Sequence, residues 1–228
     1  MFKHETQVIK FLLQWYSMNA RKLPWRKKNN LNLPHPYFVF VSEYMLQQTT
    51  VNTVKNKFNE FILKWPSLNK LAQTSEPNIL EFWSGLGYYS RARNLLKSAK
   101  IIKNNFKNKI PETYDELIQL PGIGDYTAKA ILGIGYNKSV MPLDANIERI
   151  LVRLHAIDKP INKVKNKLKD LGKKFISDKY SSNLIQSFMD YGSEICLPRN
   201  PKCDICQINK FCQSYKKNLQ LKIPIKLK

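Results

Sequence analysis

Four cysteines near the end of the sequence are the residues whose type and spacing most directly indicate chemistry. Cys196, Cys203, Cys206 and Cys212 read C-x6-C-x2-C-x5-C, and the 228 residues contain no other cysteine. Structural zinc usually binds two separated C-x-x-C pairs, whereas here one C-x-x-C pair is flanked by two single cysteines. Four thiolates on one short loop suit a [4Fe–4S] cube, because each iron takes one thiolate. We therefore predict a [4Fe–4S] cluster, with zinc and disulfides as the alternatives.

Two carboxylates form a second candidate constellation. Glu43 lies in the otherwise mostly apolar segment 37–46, and burial on a helix would raise its pKa and make it a candidate general acid. The alternative is a glutamate on the solvent face of that helix. Asp144 precedes an apolar helical stripe and is also a plausible N-cap. One carboxylic acid and one carboxylate together can cleave a glycosidic bond, and the N-glycosidic bond of a nucleotide poses the same electronic problem.

The segment Leu120–Ala128, L-P-G-I-G-D-Y-T-A, predicts a glycine-bearing turn between two helices. Gly122 and Gly124 let the backbone approach a ligand closely, and the free N–H groups of the next helix suit a phosphate. We interpret this turn as a contact to the DNA backbone that is independent of base sequence. An ordinary helix connection is the alternative, and Asp125 places a negative charge beside the proposed phosphate.

The composition supports a nucleic-acid partner. The formal net charge is +21 and the sequence pI is about 9.8, while 43% of the residues are hydrophobic, which is typical of a globular protein. Seven of the 38 basic residues are arginine, which leaves 31 lysines, and part of that positive charge is consistent with a general bias in residue usage. No apolar run is long enough for a membrane span, and residues 1–16 lack the features of a secretion signal.

Helical periodicity dominates the sequence. Apolar stripes follow the candidate N-caps Thr49–Thr50 and Asp144, and no sustained period-two run predicts a sheet. Further helical segments are expected at 8–16, 80–83, 92–102, 114–120, 128–134 and 184–189. The basic tail 216–228 contains Pro224, so we expect an extended end or the start of a linker. The prediction is an all-α protein.

The segment Ser42–Val51, S-E-Y-M-L-Q-Q-T-T-V, resembles the signature of A/G-specific adenine DNA glycosylases. This family belongs to the endonuclease III superfamily, whose members share a helix-hairpin-helix motif and a Gly/Pro/Asp region. Matching blocks occur in the family's order at 23–26 (L-P-W-R), 85–94 (G-L-G-Y-Y-S-R-A-R-N), the 120–128 turn and the cysteine loop. The resemblance covers about residues 20–215.

The resemblance implies a two-lobed helix-hairpin-helix DNA glycosylase fold with a [4Fe–4S] cluster loop. Residues 23–135 would form a six-helix barrel carrying the hairpin, and residues 1–22 with 136–228 would form the iron–sulfur cluster domain. DNA would bind in the cleft between them, and the target nucleotide would have to leave the base stack. The cluster would have a structural and DNA-positioning role.

The resemblance also implies roles for individual residues. Glu43 would protonate N7 of adenine, Asp144 would stabilise the cationic sugar carbon, and Asn146 would orient Asp144. Residues implied to line the adenine pocket are Trp25, Arg26, Leu46 and Gln186. Residues implied to contact the duplex are Gln48, Thr49, Leu86, Tyr88, Arg91, Gly122, Gly124, Arg199 and Lys202. For Leu86 and Tyr88, core packing is the alternative.

Tyr126 determines the expected product. Relatives that also cut the DNA strand carry a lysine at this position, which forms a Schiff base with the opened sugar, and a phenol cannot do so. Lys129 is nearby in sequence at a different position. The resemblance therefore implies a monofunctional glycosylase with a catalytic tyrosine at position 126.

The expected substrate is double-stranded DNA with adenine opposite guanine or 8-oxoguanine. We expect a monomer without a membrane association, in the cytoplasm and at the nucleoid. Full relatives usually continue into a β-rich domain that inspects 8-oxoguanine, so the chain is either the catalytic part of a longer protein or a short relative. Ala145 replaces the glycine usual in the adenine branch, which leaves a thymine mismatch (T:G) glycosylase as an alternative. A non-catalytic iron–sulfur DNA-binding protein is the third hypothesis.

Overall fold

The regular structure of the chain is helical, as the sequence predicts. The computed structural model describes residues 3–29 and 32–225, and the strand-like geometry found there is one isolated antiparallel bridge between Lys28 and Pro34. The α-helices are α1 (Lys3–Asn19), α2 (Pro36–Leu46), α3 (Val51–Lys64), α4 (Leu68–Ala72), α5 (Glu76–Phe82), α6 (Ser90–Asn105), α7 (Tyr114–Ile118), α8 (Asp125–Ala130), α9 (Ala145–Leu154), α10 (Lys165–Lys173), α11 (Ser181–Glu194) and α12 (Gln213–Lys216).

Shorter helical turns complete the architecture. A π-helical turn at Ile131–Gly135 continues α8. Single 3-10 turns lie at Pro24–Arg26, Ile161–Lys163, Cys203–Ile205 and Asn209–Phe211. No helix in the described part of the chain is both long and apolar enough to cross a membrane. The all-α prediction is confirmed.

The chain divides into two compact units. One unit comprises residues 22–136, and the other comprises residues 1–21 together with 137–228. The first therefore carries the Glu43 helix and the glycine-bearing turn, and the second carries Asp144 and the cysteines. The sequence-based boundaries at 23 and 135 differ from this division by one residue at each end.

Helix α2 is the central element of the unit 22–136. His35 caps its N-terminus by accepting a hydrogen bond from the Tyr37 N–H at 3.2 Å, and Pro36 occupies the first helical position, where its missing N–H costs nothing. Eight of its eleven residues are buried, and it packs against α3, α6, α8 and the π-helical turn. Nearly continuous burial explains why its sequence is apolar on all sides rather than on one stripe.

In the other unit, α11 packs against both α1 and α9. Trp15 of α1 meets Tyr191 of α11 edge-to-face, with ring centroids 5.0 Å apart. After the end of α1, Arg21 Nε donates to Asp190 Oδ1 at 2.6 Å, and the Asp190 side chain is fully buried. A buried carboxylate needs such a partner, so Arg21 and Asp190 help to fix the first helix in a unit built mainly from the later sequence.

The structure confirms both predicted N-caps. Thr50 accepts from the Thr53 N–H at the start of α3, and Asp144 accepts from the Ile147 N–H at the start of α9. Helix α10 was not predicted. The expectation of an extended tail was wrong for the described residues up to 225: Ile223 is buried, and its carbonyl accepts from Arg153 Nε at 2.7 Å. Residues 226–228 lie outside the described part.

Candidate active site and cluster loop

Glu43 lies in the last two turns of α2 and is 6% exposed. The prediction that it is buried is confirmed, and the alternative of a solvent-facing glutamate is wrong. The burial is consistent with the packing of α2, which contacts α3, α6, α8, the π-helical turn and the 3-10 turn at Pro24–Arg26. Its role as a general acid stays a prediction.

The end of α2 is fastened to the glycine-bearing turn. The Tyr44 hydroxyl donates to the Pro121 carbonyl at 2.5 Å, and Gln47 Nε2 donates to the Gly122 carbonyl at 3.1 Å. Ser98 of α6 donates to the same Pro121 carbonyl at 3.0 Å. These side-chain donors satisfy turn carbonyls, so the position of the turn is coupled to that of the Glu43 helix.

Gly122 has a conformational reason to be glycine. Its φ is +81°, and a Cβ would lie 3.0 Å from atoms of Asn94 and Tyr44. A side chain would therefore be strained by its backbone and crowded by its neighbours. Gly124 instead has an extended backbone and forms the N-cap of α8.

The charge of Asp125, which we counted as an objection to a phosphate at this turn, is paired. Its carboxylate accepts from the Tyr114 hydroxyl at 2.9 Å and forms an ion pair with Lys129 Nζ at 2.7 Å. The Lys129 ammonium is thus engaged on its own helix. Tyr126, one residue after Asp125, is half-buried in the first turn of α8.

Gln48 and Tyr88, two residues predicted to contact DNA, have backbone in the left-handed region. Gln48 has φ +56° and is exposed, and Tyr88 has φ +48° with 62% of its surface exposed. Left-handed backbone at such residues costs free energy and persists only where the surroundings enforce it. Leu86 is buried, with 7% of its surface exposed, and Thr49 is half-buried.

Arg91, predicted to contact DNA, is 5% exposed, and its guanidinium faces the protein. Its partners are backbone carbonyls of Tyr44, Met45 and Gln47 on one side and of Leu86 and Gly87 on the other, at 2.5–3.3 Å. The terminal N–H groups that a phosphate would need are already occupied. The structure thus places this guanidinium among backbone carbonyls of its own chain, and the contact of Arg91 with the duplex stays a prediction.

The residues expected to line the adenine pocket lie in both units. In residues 22–136, Trp25 is buried against Phe58, with ring centroids 5.5 Å apart, and Arg26 and Leu46 are half-buried. Gln186 lies on α11 of the other unit and is 2% exposed. Its Nε2 donates to the carbonyl and hydroxyl of Ser182, and its buried Oε1 has no hydrogen-bond partner among the described residues.

The Asp144 carboxylate caps α9 with one oxygen and accepts a side-chain hydrogen bond with the other. Its Oδ1 accepts from the Ile147 N–H at 2.7 Å, and its Oδ2 accepts from Asn146 Nδ2 at 2.9 Å. Burial raises the pKa of the Asp144 carboxyl. The hydrogen bonds from Ile147 and Asn146 and the charge of Arg149 oppose this rise by favouring the ionised form.

Arg149 connects Asn146 to the cysteine loop. Its Nη2 donates to Asn146 Oδ1 at 2.8 Å and to the Gly192 carbonyl at 2.6 Å, while its Nε donates to the Cys196 carbonyl at 2.7 Å. Gly192 allows this arrangement, because a Cβ there would lie 2.5 Å from Asn146 Cβ. The orientation of Asn146, and through it that of Asp144, therefore depends on the position of Cys196, the first residue of the cysteine loop.

The four cysteines line one common cavity and are free thiols rather than disulfides. Arg153 Nη1 lies 3.3 Å from Cys196 Sγ, and the Tyr191 hydroxyl lies 3.3 Å from Cys206 Sγ. Burial raises the pKa of the Cys206 thiol to about 11. Thiols at such a site need cationic metal to remain ionised, so the donor set fits a metal cluster.

Comparison with known proteins agrees with this arrangement. A family model described as "HhH-GPD superfamily base excision DNA repair protein" matches residues 41–174. The chain belongs to this superfamily. A second model, "Iron-sulfur binding domain of endonuclease III", matches residues 196–212. The resemblance inferred from the sequence is confirmed, and the prediction of an iron–sulfur cluster is confirmed in preference to zinc.

Relatives and solved structures extend the match over most of the chain. Adenine DNA glycosylases of Buchnera aphidicola from Schizaphis graminum and from Baizongia pistaciae are 41% and 43% identical over 95% and 94% of this chain, respectively. The chain spans about three fifths of these relatives, 62% and 60% of their lengths. A solved thermostable thymine-DNA glycosylase is 25% identical with a TM-score of 0.83, and the match covers 94% of this chain and 98% of that one.

Within this HhH-GPD chain, the cluster would be held by the four cysteine thiolates, and Arg153 and Tyr191 would donate to two of their sulfur atoms. Such hydrogen bonds orient ligands and tune a cluster's potential. Arg199 and Lys202, predicted to contact DNA, are exposed in the loop between the first two cysteines. Ligation at both ends of that loop would fix its shape.

Several residues of this HhH-GPD site were not predicted from the sequence. Arg149 and Arg153 have no predicted role, and Tyr44 and Gln47 occur only as members of the S-E-Y-M-L-Q-Q-T-T-V motif. The available signal was spacing, since Arg149 lies three residues after Asn146 on the same helix and can therefore reach it.

The cluster assignment predicts the metal content. The purified protein should absorb in the visible range and contain about four iron atoms and four sulfide ions per chain. Cys206→Ser should lose iron, lower the melting temperature and weaken binding to duplex DNA, whereas Ile205→Ser, at an exposed neighbour in the same loop, should not. Metal analysis that found stoichiometric zinc would contradict the assignment.

The contacts of Asp144 predict a pH effect. Asn146→Ala removes a donor to Oδ2, so the pKa of Asp144 should rise further and the acidic limb of the base-excision profile should move to higher pH. Single-turnover rates across pH would measure this shift. Asn162→Ala, at an exposed asparagine of the same unit, serves as the control, and an unshifted limb in Asn146→Ala would show that Asn146 does not support the anion.

Proposed function

We propose that this chain is a monofunctional adenine DNA glycosylase that hydrolyses adenine opposite guanine or 8-oxoguanine in double-stranded DNA. The observation that carries the proposal is the 41–43% identity to adenine DNA glycosylases over nearly the whole chain. Against it stands the 25% identity to a thymine-DNA glycosylase of similar fold. We expect the protein to act as a monomer at the nucleoid.

The reaction would break the bond between the sugar C1′ and adenine N9. Glu43 donates a proton to N7, so that the base departs as neutral adenine, and the electron pair of the broken bond leaves with it. Asp144 faces the positive charge that develops on the sugar. A water molecule then adds to C1′ and loses a proton, which gives an abasic site in an intact strand.

The surroundings of Asp144 support its role as an anion. Both of its oxygens accept hydrogen bonds from neutral N–H groups, and the nearby Arg149 favours its charge without bonding to it directly. These contacts oppose the rise in pKa that burial causes, and each oxygen keeps a lone pair that could face the sugar cation. The fixed position at the N-terminus of α9 adds a favourable helix dipole.

The other predicted site residues would contact three parts of the substrate: the adenine, the base stack and the phosphates. Trp25, Arg26, Leu46 and Gln186 would contact the adenine. The Gln186 Oε1, which has no partner within residues 3–29 and 32–225, could accept from the adenine amino group. Gln48 and Tyr88 would enter the gap left in the base stack. The backbone of the Gly122–Gly124 turn, with Arg199 and Lys202, would bind phosphates.

Single-turnover excision on three duplexes tests the function. We expect cleavage after hot alkali for A opposite 8-oxoguanine and A opposite G, and none for T opposite G. Excision of thymine alone would instead identify a thymine mismatch glycosylase. Binding without excision of any base would leave a non-catalytic DNA-binding protein.

Loss of either carboxylate should affect excision and leave DNA binding intact. Glu43→Gln and Asp144→Asn should each reduce excision by about 10²–10⁴-fold. Affinity for undamaged duplex should persist, because phosphate contacts provide most of it. Glu60→Gln and Asp170→Asn, both at exposed positions, are the matched controls. Near-normal excision by either active-site variant would remove that residue from the mechanism.

Tyr126 predicts the absence of strand cleavage. Sodium borohydride should trap no covalent complex with the unmodified protein, whereas Tyr126→Lys should gain nicking and a trapped adduct that increase towards alkaline pH. The reason is that only a deprotonated amine can form the Schiff base. Trapping by the unmodified protein that disappears in Lys129→Ala would contradict the monofunctional assignment.

A further inference from the structure

Arg91 joins two loops that are far apart in sequence. It is the second residue of α6, and its Nη1 lies 2.7 Å from the Met45 carbonyl and 2.5 Å from the Gln47 carbonyl. Its Nη2 lies 2.7 Å from the Leu86 carbonyl and 2.9 Å from the Gly87 carbonyl. One planar guanidinium thus bonds the end of α2 and the loop before α6 at the same time.

The first set of carbonyls belongs to a helix end. Residues 44–46 form the last turn of α2, where carbonyl oxygens have no partner within the helix. A cation at this end is favourable, because it faces the negative pole of the helix dipole. A guanidinium can satisfy several of these oxygens in one plane, which an ammonium group cannot.

The second set belongs to the loop that presents Tyr88. Trp83 Nε1 donates to the Gly87 carbonyl at 3.2 Å, so this oxygen accepts from two side chains. The Arg91 Cζ lies 5.5 Å from the centroid of the Trp83 ring and 5.6 Å from that of the Tyr88 ring. The exposed Tyr88 ring therefore has the buried cation on its inner side.

The residues that follow the bonded carbonyls carry the strained backbone. Gln48 comes directly after Gln47, and Tyr88 comes directly after Gly87, and both have φ near +50°. A non-glycine residue keeps this conformation only where the surrounding structure enforces it, and hydrogen bonds to the preceding carbonyl are one way to do so. Arg91 donates to the carbonyl that precedes each of the two.

We propose that Arg91 is a positioning residue that holds the loops 47–49 and 86–88 in one conformation, so that Gln48 and Tyr88 protrude together. The effect on DNA rests on the proposed function, in which these two side chains enter the base stack. Loops ordered before binding avoid the entropic cost of ordering them on the duplex. Arg91 itself touches no substrate.

The matched pair of variants is Arg91→Lys and Arg93→Lys. Lysine keeps the charge at position 91 and loses the fork, so a phosphate contact would largely survive whereas a bond to two loops would not. Arg93 lies two residues later on the same helix, is exposed, and pairs with Glu76 at 2.9 Å. Its replacement tests the general effect of an arginine-to-lysine change.

The first measurement is amide hydrogen exchange of the full protein without DNA. Arg91→Lys should accelerate exchange in residues 46–50 and 84–89 by about tenfold or more, with the core of α3 unchanged. Arg93→Lys should leave both loops at their normal rates. Equal exchange in Arg91→Lys and the unmodified protein would overturn the proposal.

A second variant covers the case in which Arg91→Lys does not fold. Trp83→Phe removes the other side-chain donor to the Gly87 carbonyl and leaves the guanidinium in place. Exchange should then rise in 84–89 and not in 46–50, because Arg91 still holds the latter. Unchanged exchange at 84–89, or an equal rise in both loops, would contradict independent holding by these donors.

The second measurement separates the proposal from the proposed function. With 2-aminopurine as the target base, Arg91→Lys should lower the fluorescence gain on extrusion and reduce single-turnover excision of adenine by roughly 10–100-fold, with Kd for undamaged duplex unchanged. If Kd weakens in step with excision while loop exchange stays normal, Arg91 is a phosphate contact. If exchange rises as expected but Tyr88→Ser leaves extrusion unchanged, the holding role stands and the proposed contact of Tyr88 with DNA is wrong.

Discussion

A guanidinium that leaves water must find oxygen atoms for its N–H groups, and this requirement orders the functional regions of both units. Arg91, Arg149 and Arg153 are 5%, 6% and 2% exposed. An unpaired buried ion would cost several kcal/mol, and each of these guanidinium groups has several acceptors, although the buried Nε of Arg91 has none among the described residues. Those acceptors are mainly backbone carbonyls at helix ends and in loops, which have no partner in regular structure. The arginines therefore fix the parts of the chain that helices alone leave loose.

The choice of carbonyls over carboxylates matters for Asp144. An arginine in direct contact with this carboxylate would occupy its lone pairs and neutralise it. Arg149 instead bonds to Asn146, which in turn donates to Asp144. The positive charge favours ionisation from a distance, while the acceptor capacity of the carboxylate is left for a cation. Because Arg149 also bonds to the Cys196 carbonyl, the same side chain ties this site to the beginning of the cluster loop.

Capping and catalysis, treated as alternatives for Asp144 in the sequence, are compatible in the structure. One oxygen caps α9 and the other accepts from Asn146, and each oxygen has a second lone pair. The cap gives the carboxylate a fixed orientation at almost no entropic cost, since the helix defines it. A residue of good capping type before an apolar helix is therefore no argument against a catalytic role.

Local patterns predicted the parts of this protein that depend on neighbouring residues. The stripe after Thr50, the cap at Asp144 and the cysteine spacing are all contained within short segments. Helix α10 was missed because its sequence, KNKLKDLGK, offers only Leu168 and Leu171 as apolar anchors, and their burial depends on tertiary packing. The tail was missed for the same reason, since Ile223 is held by Arg153 from a distant helix.

The direction of a long side chain is the property that sequence could least predict. Arg91 and Arg93 stand two residues apart in one motif, yet the first is buried among carbonyls and the second is exposed. Their difference is set by the loop 84–89 and by the carbonyls at the end of α2, which lie 44–47 residues before Arg91 in the sequence. No periodicity within α6 contains that information.

Lysine and arginine occupy different environments in this protein. Every lysine whose side chain the structure describes is exposed or half-buried, whereas three of the seven arginines are buried. A lysine ammonium is strongly hydrated and gains most by staying at the surface, where it raises the attraction for a polyanion at any sequence. A guanidinium is more weakly hydrated and can be buried when planar acceptors surround it. The surface lysines thus suit a general attraction to a polyanion, whereas the three buried arginines hold loops and helix ends in place.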